Sequence, residues 1–343
     1  MKPTIKKWMG ALVALSLAGT LTACGNKQDN QDTAEQGTSA KEPQELSLVL
    51  DWYPNAVHSF IYAAEEQGYF KDENLKVDIQ MPSDASDPLK LAAVGKVDAA
   101  ISYETQVIQA RSEDVPVISV AALVRHPLNV VMVREESGIN SPKDLAGKNV
   151  GYPAVPLDEY FVRDMIEKDG GDATDTKFTD IGWDIIPSIT GKQVDAIIGG
   201  YKNHEQLLLE KNGVHVKAFN LQDYGVPDFY ELVLATGEST LKDKKPALEA
   251  FVRALGKGQA YVAAHKDEAL NSLLAKQSTD FPLEEDVEKQ SLDILLPLMD
   301  AGDKPFGYQD ESVYQTMIDY MKEHKIITND VKASEAMQNL VQE

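Results

Sequence analysis

The stretch Leu46-Ser-Leu-Val-Leu-Asp51-Trp52-Tyr53-Pro54-Asn55-Ala-Val-His58 changes character at its midpoint, where a Leu/Val run gives way to acidic, aromatic and amide side chains. A short Leu- and Val-rich run suits a buried strand of a parallel sheet, and Pro54 ends it because proline has no N–H for the ladder. The polar residues after the run sit at the strand's carboxyl end, where open α/β sheets receive their ligands. Asp51, Trp52, Asn55 and His58 are therefore the first candidates for a site. The same residues would also serve a plain strand-to-helix turn, with Asn55 as helix N-cap and Trp52 in the core.

Outward from this stretch, helical spacing over 59–67 ends at Gly68, and a second strand is expected over 76–80. A helix over 88–94 leads to Gly95-Lys-Val-Asp98 and a third strand ending in Ser102-Tyr103-Glu104; a fourth, 116–124, ends in Arg125-His126-Pro127. Strands alternating with helices predict a parallel α/β sheet. The second half repeats the pattern. A strand ends at Tyr152-Pro153, a helix comes next over 157–167 with Asp158 and Glu159 in its first turn, and Gly191-Lys-Gln-Val-Asp195 echoes the Gly95 turn. The strand after it ends in Gly200-Tyr201-Lys-Asn203-His204-Glu205. A unit of about 100 residues occurring twice means two related lobes rather than a solenoid. Phe229-Tyr230-Glu231 precedes an apolar strand, 232–236, that crosses back to the first lobe. Helices over 246–264, 283–299 and 312–323 then pack on lobe one and carry no chemistry.

At the other end, Lys2, Lys6 and Lys7 precede an apolar segment, 8–21, that closes in Leu21-Thr-Ala-Cys24. This reads as an export signal over 1–23 with a lipobox, too short for a membrane span, leaving Cys24 as the lipidated residue. Residues 24–45 hold no large apolar side chain and read as a disordered tether. The formal net charge of −22 disfavours nucleic acid and anionic lipid surfaces, so attachment to the membrane would rest on the acyl chains of Cys24. With Cys24 the only cysteine, no disulfide or thiolate zinc site is available, and the core must supply stability.

The lipoprotein signal, Asp51-Trp52-Tyr-Pro54-Asn55, Gly68-Tyr-Phe, the two Gly-Lys turns and Asp144-Leu-Ala-Gly-Lys-Asn-Val-Gly-Tyr together resemble the type II solute-binding proteins of ABC importers. The branch is the one shared with the yeast pyrimidine-precursor synthase of thiamine biosynthesis. The more particular elements, Asp51 to His58, Arg125-His126-Pro127 and Gly200 to Glu205, are similar to the formylaminopyrimidine-binding group of thiamine salvage. The resemblance implies a type II periplasmic-binding-protein fold: two α/β lobes, 46–126 with 232–343 and 127–231, joined by two crossing segments around a ligand cleft. It implies a monomer anchored outside the cell membrane that hands its ligand to ABC permease and ATPase subunits. No cofactor, metal or catalytic residue is required.

An aminopyrimidine offers a flat face, an amine that donates and ring nitrogens that accept. Trp52, Tyr103, Tyr201 and Tyr230 supply aromatic faces. Asp51, Glu104, Asp158, Glu205 and Glu231 accept from amines, and Asn55, His58 and Asn203 do either. Pro156, ahead of the 157–167 helix, completes the implied set. Each acid also has a plainer role: Asp158 suits a helix N-terminus for dipole reasons alone.

Two rivals stand against this reading. A sulfonate site would need anion donors where this chain offers carboxylates, Arg125 excepted, and riboflavin is another flat heterocycle. A synthase like the yeast relatives would consume a histidine of its own chain with iron and a cysteine cluster; here no cysteine comes after Cys24, and Gln106 stands where that histidine would be.

Overall fold

The computed structural model describes residues 42–153 and 155–342, and residues 41–343 form one compact unit. The export signal and Cys24 lie outside the described residues. Among the described residues the strands are, in chain order, β1 (Gln44–Val49), β2 (Leu75–Gln80), β3 (Ala99–Ser102), β4 (Val117–Val124), β5 (Asn129–Arg134), β6 (Asn149–Tyr152), β7 (Lys177–Asp180), β8 (Ala196–Tyr201), β9 (Val216–Asn220) and β10 (Leu232–Gly237). Thus β1 starts two residues inside the segment expected to be tether. The strands form two five-stranded sheets, ordered β2-β1-β3-β10-β4 and β7-β6-β8-β5-β9.

Neither sheet is wholly parallel. β1 pairs in parallel with β2 and β3, and β6 with β7 and β8, but β10 runs antiparallel to β3 and β4, and β5 antiparallel to β8 and β9. Connectivity is the reason. The parallel strands run toward the cleft, whereas β5 and β10 each arrive from the other lobe at the cleft edge and run away from it.

The two Gly-Lys turns have one function in both lobes. The Asp98 carboxylate accepts the N–H of Ser47 in β1 at 2.9 Å, and Asp195 accepts the N–H of Asn149 in β6 at the same 2.9 Å. Each aspartate thereby ties the turn to the neighbouring strand of its sheet, second from the edge in both, a duty of the fold and not of the cleft.

Leu46, Leu48 and Leu50 are buried in one core with Phe60 and Ile61 of the helix Ser59–Glu66 and with Leu248, Phe251 and Leu255 of a long C-terminal helix. That helix was expected over 246–264; it runs Glu238–Ala264, with a break at Lys244 (φ −118°) just before Pro246. Proline lacks the N–H for an uninterrupted ladder and fits near the start of a new helical segment. Gly258 lies so close to Phe60 that a Cβ there would be 2.2 Å from the Phe60 carbonyl oxygen. A helix not expected from sequence, Lys266–Leu274, comes next, and the helices Glu285–Met299 and Glu311–Glu323 then start within two residues of the expected positions.

Candidate functional site

The turn after β1 is built by local hydrogen bonds. The Asn55 side chain accepts the N–H of Val57 at 3.0 Å and caps the short helix Ala56–His58, as a strand-to-helix turn requires. The Asn55 N–H donates to His58 Nδ1 at 3.3 Å, so the proton of the ring sits on Nε2, which donates to Asp51 Oδ1 at 2.9 Å. Asp51 and His58 are buried. Trp52 is half-buried and packs against the Val130, Met132 and Ile197 cluster of the second sheet; its indole N–H is buried without a hydrogen-bond partner, the Tyr53 hydroxyl lying near but out of bonding geometry.

Facing this turn across the cleft is the end of β8. Gly199 has φ +86°, and a Cβ there would lie 2.4 Å from Pro153, so only glycine lets β8 and the end of β6 approach this closely. The Gly199 N–H donates to the Asn129 side chain at 2.8 Å, whose amide in turn donates to Asp158 at 3.3 Å. The Tyr201 N–H donates to Glu205 Oε2 at 2.8 Å.

Two cavities open between the lobes. One, of about 30 Å³, is lined by Asp51, Trp52, Asn55, His58 and Tyr103 from the first lobe and by Pro153, Ile185, Gly199, Tyr201 and Glu205 from the second. The other, also of about 30 Å³, shares Tyr103 and Tyr201 with the first and is lined by Asn129, Asp158, Phe161, Phe229 and Glu231. No lysine or arginine lines either one among the described residues. Burial, then the charges of nearby carboxylates, hold the Tyr103 and Tyr201 hydroxyls well above the ordinary phenol range, so both stay protonated. The Tyr201 hydroxyl is buried and, although close to Tyr103 and Glu231, makes no hydrogen bond.

The carboxyls fall into two kinds. Burial, aided by the charge of Glu231, pushes Asp158 up to about 8. Burial likewise raises Glu231 to about 7, against the lowering effect of the Asn129 and Leu128 N–H groups it accepts at 2.9 and 2.7 Å. Those bonds tie the segment entering β5 to the segment entering β10, so Glu231 staples the two crossings together. Glu205 is different: burial would raise it, but the adjacent His204 imidazolium outweighs burial and holds it below the ordinary range.

Of the residues singled out in sequence, Asp51, Trp52, Asn55, His58, Tyr103, Asp158, Tyr201, Glu205 and Glu231 come together at the cavities. Four do not. Glu104 is buried beneath, its Oε2 accepting the Tyr230 N–H at 2.7 Å, a brace between the start of a helix and a crossing segment. Tyr230 turns its ring to Arg125 (5.0 Å) and accepts the Asp310 N–H at 2.8 Å, while Arg125 pairs with Asp310 at 3.2 Å. Asn203 is buried and donates to Ser291 at 2.8 Å. Pro156 is exposed and lines a surface groove with Gln106 instead.

Sequence reasoning missed Trp183, whose ring lies 4.0 Å from that of Trp52, and Phe281, stacked on Tyr53 at 4.7 Å and 8°. Trp183 comes just after β7, an edge strand exposed along most of its length and so without the apolar alternation that marks a strand end. Among the described residues no group of three or more His, Cys, Asp or Glu side chains is placed to hold a metal ion.

A family model described as NMT1/THI5 like matches residues 55–269. A formylaminopyrimidine-binding protein of Halalkalibacterium halodurans is 43% identical over 296 residues, covering 86% of this chain and 90% of that protein. A 4-amino-5-hydroxymethyl-2-methylpyrimidine phosphate synthase of Legionella pneumophila is 28% identical, covering 72% of this chain and 78% of its own. Among solved structures, the alkanesulfonate-binding protein of Xanthomonas axonopodis pv. citri superposes with a TM-score of 0.68 at 14% identity, covering 88% of this chain and all of that one. The last likeness carries the periplasmic-binding-protein fold and says nothing of the ligand.

Proposed function

This chain belongs to the NMT1/THI5-like family, and from that premise we propose that it is the extracytoplasmic solute-binding protein of an ABC importer, taking up a thiamine-related aminopyrimidine such as formylaminopyrimidine. The observation that carries the reading is the cleft lining. Carboxylates and aromatic rings converge on it from both lobes, and no lysine or arginine joins them among the described residues. An aminopyrimidine needs ring faces and acceptors for its amine; a sulfonate needs positively charged donors. The 43% identical relative carries the name of a formylaminopyrimidine-binding protein, which supports the same choice.

In this reading Trp52 and Tyr201 contact the ring, Asp51 and Glu205 accept from its amine, and Asn55, His58, Tyr103, Asp158 and Glu231 complete the walls. Lobe one comprises 46–126 with 232–343, lobe two 127–231, and closure is a hinge motion about the crossings. Cys24 carries the lipid, and the monomer delivers to its permease and ATPase. Binding, not turnover, is the activity in this reading; Gln106, where the resemblance places the consumed histidine, and a single cysteine in the sequence support it.

The test is isothermal titration of residues 41–343 with formylaminopyrimidine, riboflavin and taurine. Sub-micromolar binding of the pyrimidine alone supports the reading. Heat from riboflavin or taurine, and none from any pyrimidine, sinks it.

A further inference from the structure

We propose that Glu288 is a positioning residue of the ligand site: acting through His204, it reaches from one lobe to the other and holds Glu205 in place at the cleft. The inference rests on the assignment of Glu205 as a ligand acceptor.

Glu288 lies on the helix Glu285–Met299, outside the cleft lining, and is fully buried. Its Oε2 accepts the N–H of Ala56, in the turn after β1, at 2.7 Å. Its Oε1 lies 3.1 Å from His204 Nε2, and the other ring nitrogen, Nδ1, lies 2.8 Å from Glu205 Oε1. Glu205 then accepts the Tyr201 N–H through its second oxygen. A continuous buried chain therefore runs from the lobe-one turn, through Glu288, His204 and Glu205, to the backbone of lobe two beside the ligand cavity.

A carboxylate at each ring nitrogen requires a donor at each, which only the imidazolium provides. Burial would pull His204 down, but Glu205 and Glu288 overcome it and hold the ring up at about 10. The remaining group against the ring is Tyr53, edge-on at 5.8 Å, whose hydroxyl is raised by burial and by both carboxylates. One helical turn beyond Glu288, Ser291 accepts from Asn203, so the same helix face grips the 201–205 loop twice.

This also explains why a helix of the C-terminal tail, read from sequence as carrying no chemistry, touches the second lobe with a buried acid. Packing alone would be served by an apolar side chain there; an ionised pair that fixes another carboxylate would not.

The experiment is Glu288→Gln in residues 41–343. The oxygen of the introduced amide can keep the Ala56 bond while its NH₂ donates to His204 Nε2, leaving one ring proton directed at Glu205 and removing the second charge. Titration with formylaminopyrimidine should show about tenfold weaker binding, the loss of a charge-assisted contact. The weakening with rising pH should begin below the pH at which it begins in the wild type. Affinity within twofold of wild type with the same pH profile overturns the proposal. Imidazole ¹⁵N shifts of the wild type provide a measurement that needs neither the variant nor a ligand: at pH 8 the His204 ring should be doubly protonated, and a singly protonated ring overturns the proposal too. If the wild type binds no pyrimidine, the ligand assignment fails by itself and the ring's protonation decides the Glu288 claim.

Discussion

Trp52 and Trp183 lie with ring centroids 4.0 Å apart and planes inclined by 34°, one after β1 of the first sheet and the other after β7 of the second. Aromatic partners stack at centroid distances of about 4.5–7 Å, so no further ring fits between these two as they stand. A flat ligand that stacks on this face of Trp52 must move Trp183 away.

Residues 41–343 contain only these two tryptophans, because the third, Trp8, precedes them. Ligand addition should therefore shift tryptophan emission along a saturable curve that matches the calorimetric one. Trp183→Ala vacates the covered face of Trp52 and should strengthen the binding of a ligand that stacks there by about 0.5–1.5 kcal/mol, while leaving Trp52 as the reporter. Emission indifferent to a ligand that binds by calorimetry would place that ligand away from this pair.

Glu104 is fully buried, and burial pushes it up to about 8, with its Oε2 on the Tyr230 N–H and its Oε1 without a partner. Glu104→Gln keeps the accepting oxygen and removes the ionisable group. It should leave the urea midpoint near wild type at pH 4 and raise it at pH 9. Glu104→Ala leaves the Tyr230 N–H unsatisfied and should cost about 1–3 kcal/mol more than Glu104→Gln at both.

The pH dependence of stability is set by the raised groups. Asp158 and Glu104 sit at about 8 and Glu231 at about 7, all above their unfolded values, so the folded state binds more protons than the unfolded one. Their contribution is fully present below the unfolded carboxyl values and is lost as pH rises through 7 to 8. His204, raised to about 10, adds a loss of the same sign through that higher value. Glu205, lowered, has the opposite sign and contributes only above its unfolded value. Urea midpoints should fall from pH 5 to pH 9; a rise over that interval would contradict the burial of these acids.

Gly199→Ala combines a left-handed backbone with a Cβ placed 2.4 Å from Pro153. The substitution should cost about 1–3 kcal/mol in backbone strain alone and, by pushing Pro153 aside, abolish ligand binding before it abolishes folding. Circular dichroism with calorimetry separates the two losses.

Glu231→Ala removes the acceptor of two backbone N–H groups at the crossings. A loss of about 2–3 kcal/mol is expected, with faster hydrogen exchange at Leu128 and Asn129 as the local signature. Unchanged exchange there would show that Glu231 does not staple the crossings.

The features legible in the amino-acid sequence were those written in one local segment. The apolar run before Asp51 declared β1, Asn55 declared the cap, the repeated Gly-Lys turns declared a duplicated lobe, and helical spacing placed two tail helices to within two residues but missed Lys266–Leu274 and the two turns upstream of Pro246. Each depends on neighbours a few positions away, which periodicity and capping chemistry report directly. Folding in three dimensions settled the antiparallel entry of β5 and β10, the withdrawal of Glu104 and Tyr230 into the frame, the arrival of Trp183 on Trp52, and the reach of Glu288 to Ala56 across 232 positions. Those contacts join side chains whose separation in the chain carries no periodic signal. A buried acid at a helix start reads alike whether it caps, braces or binds, and only the groups brought against it by the folded chain make the difference.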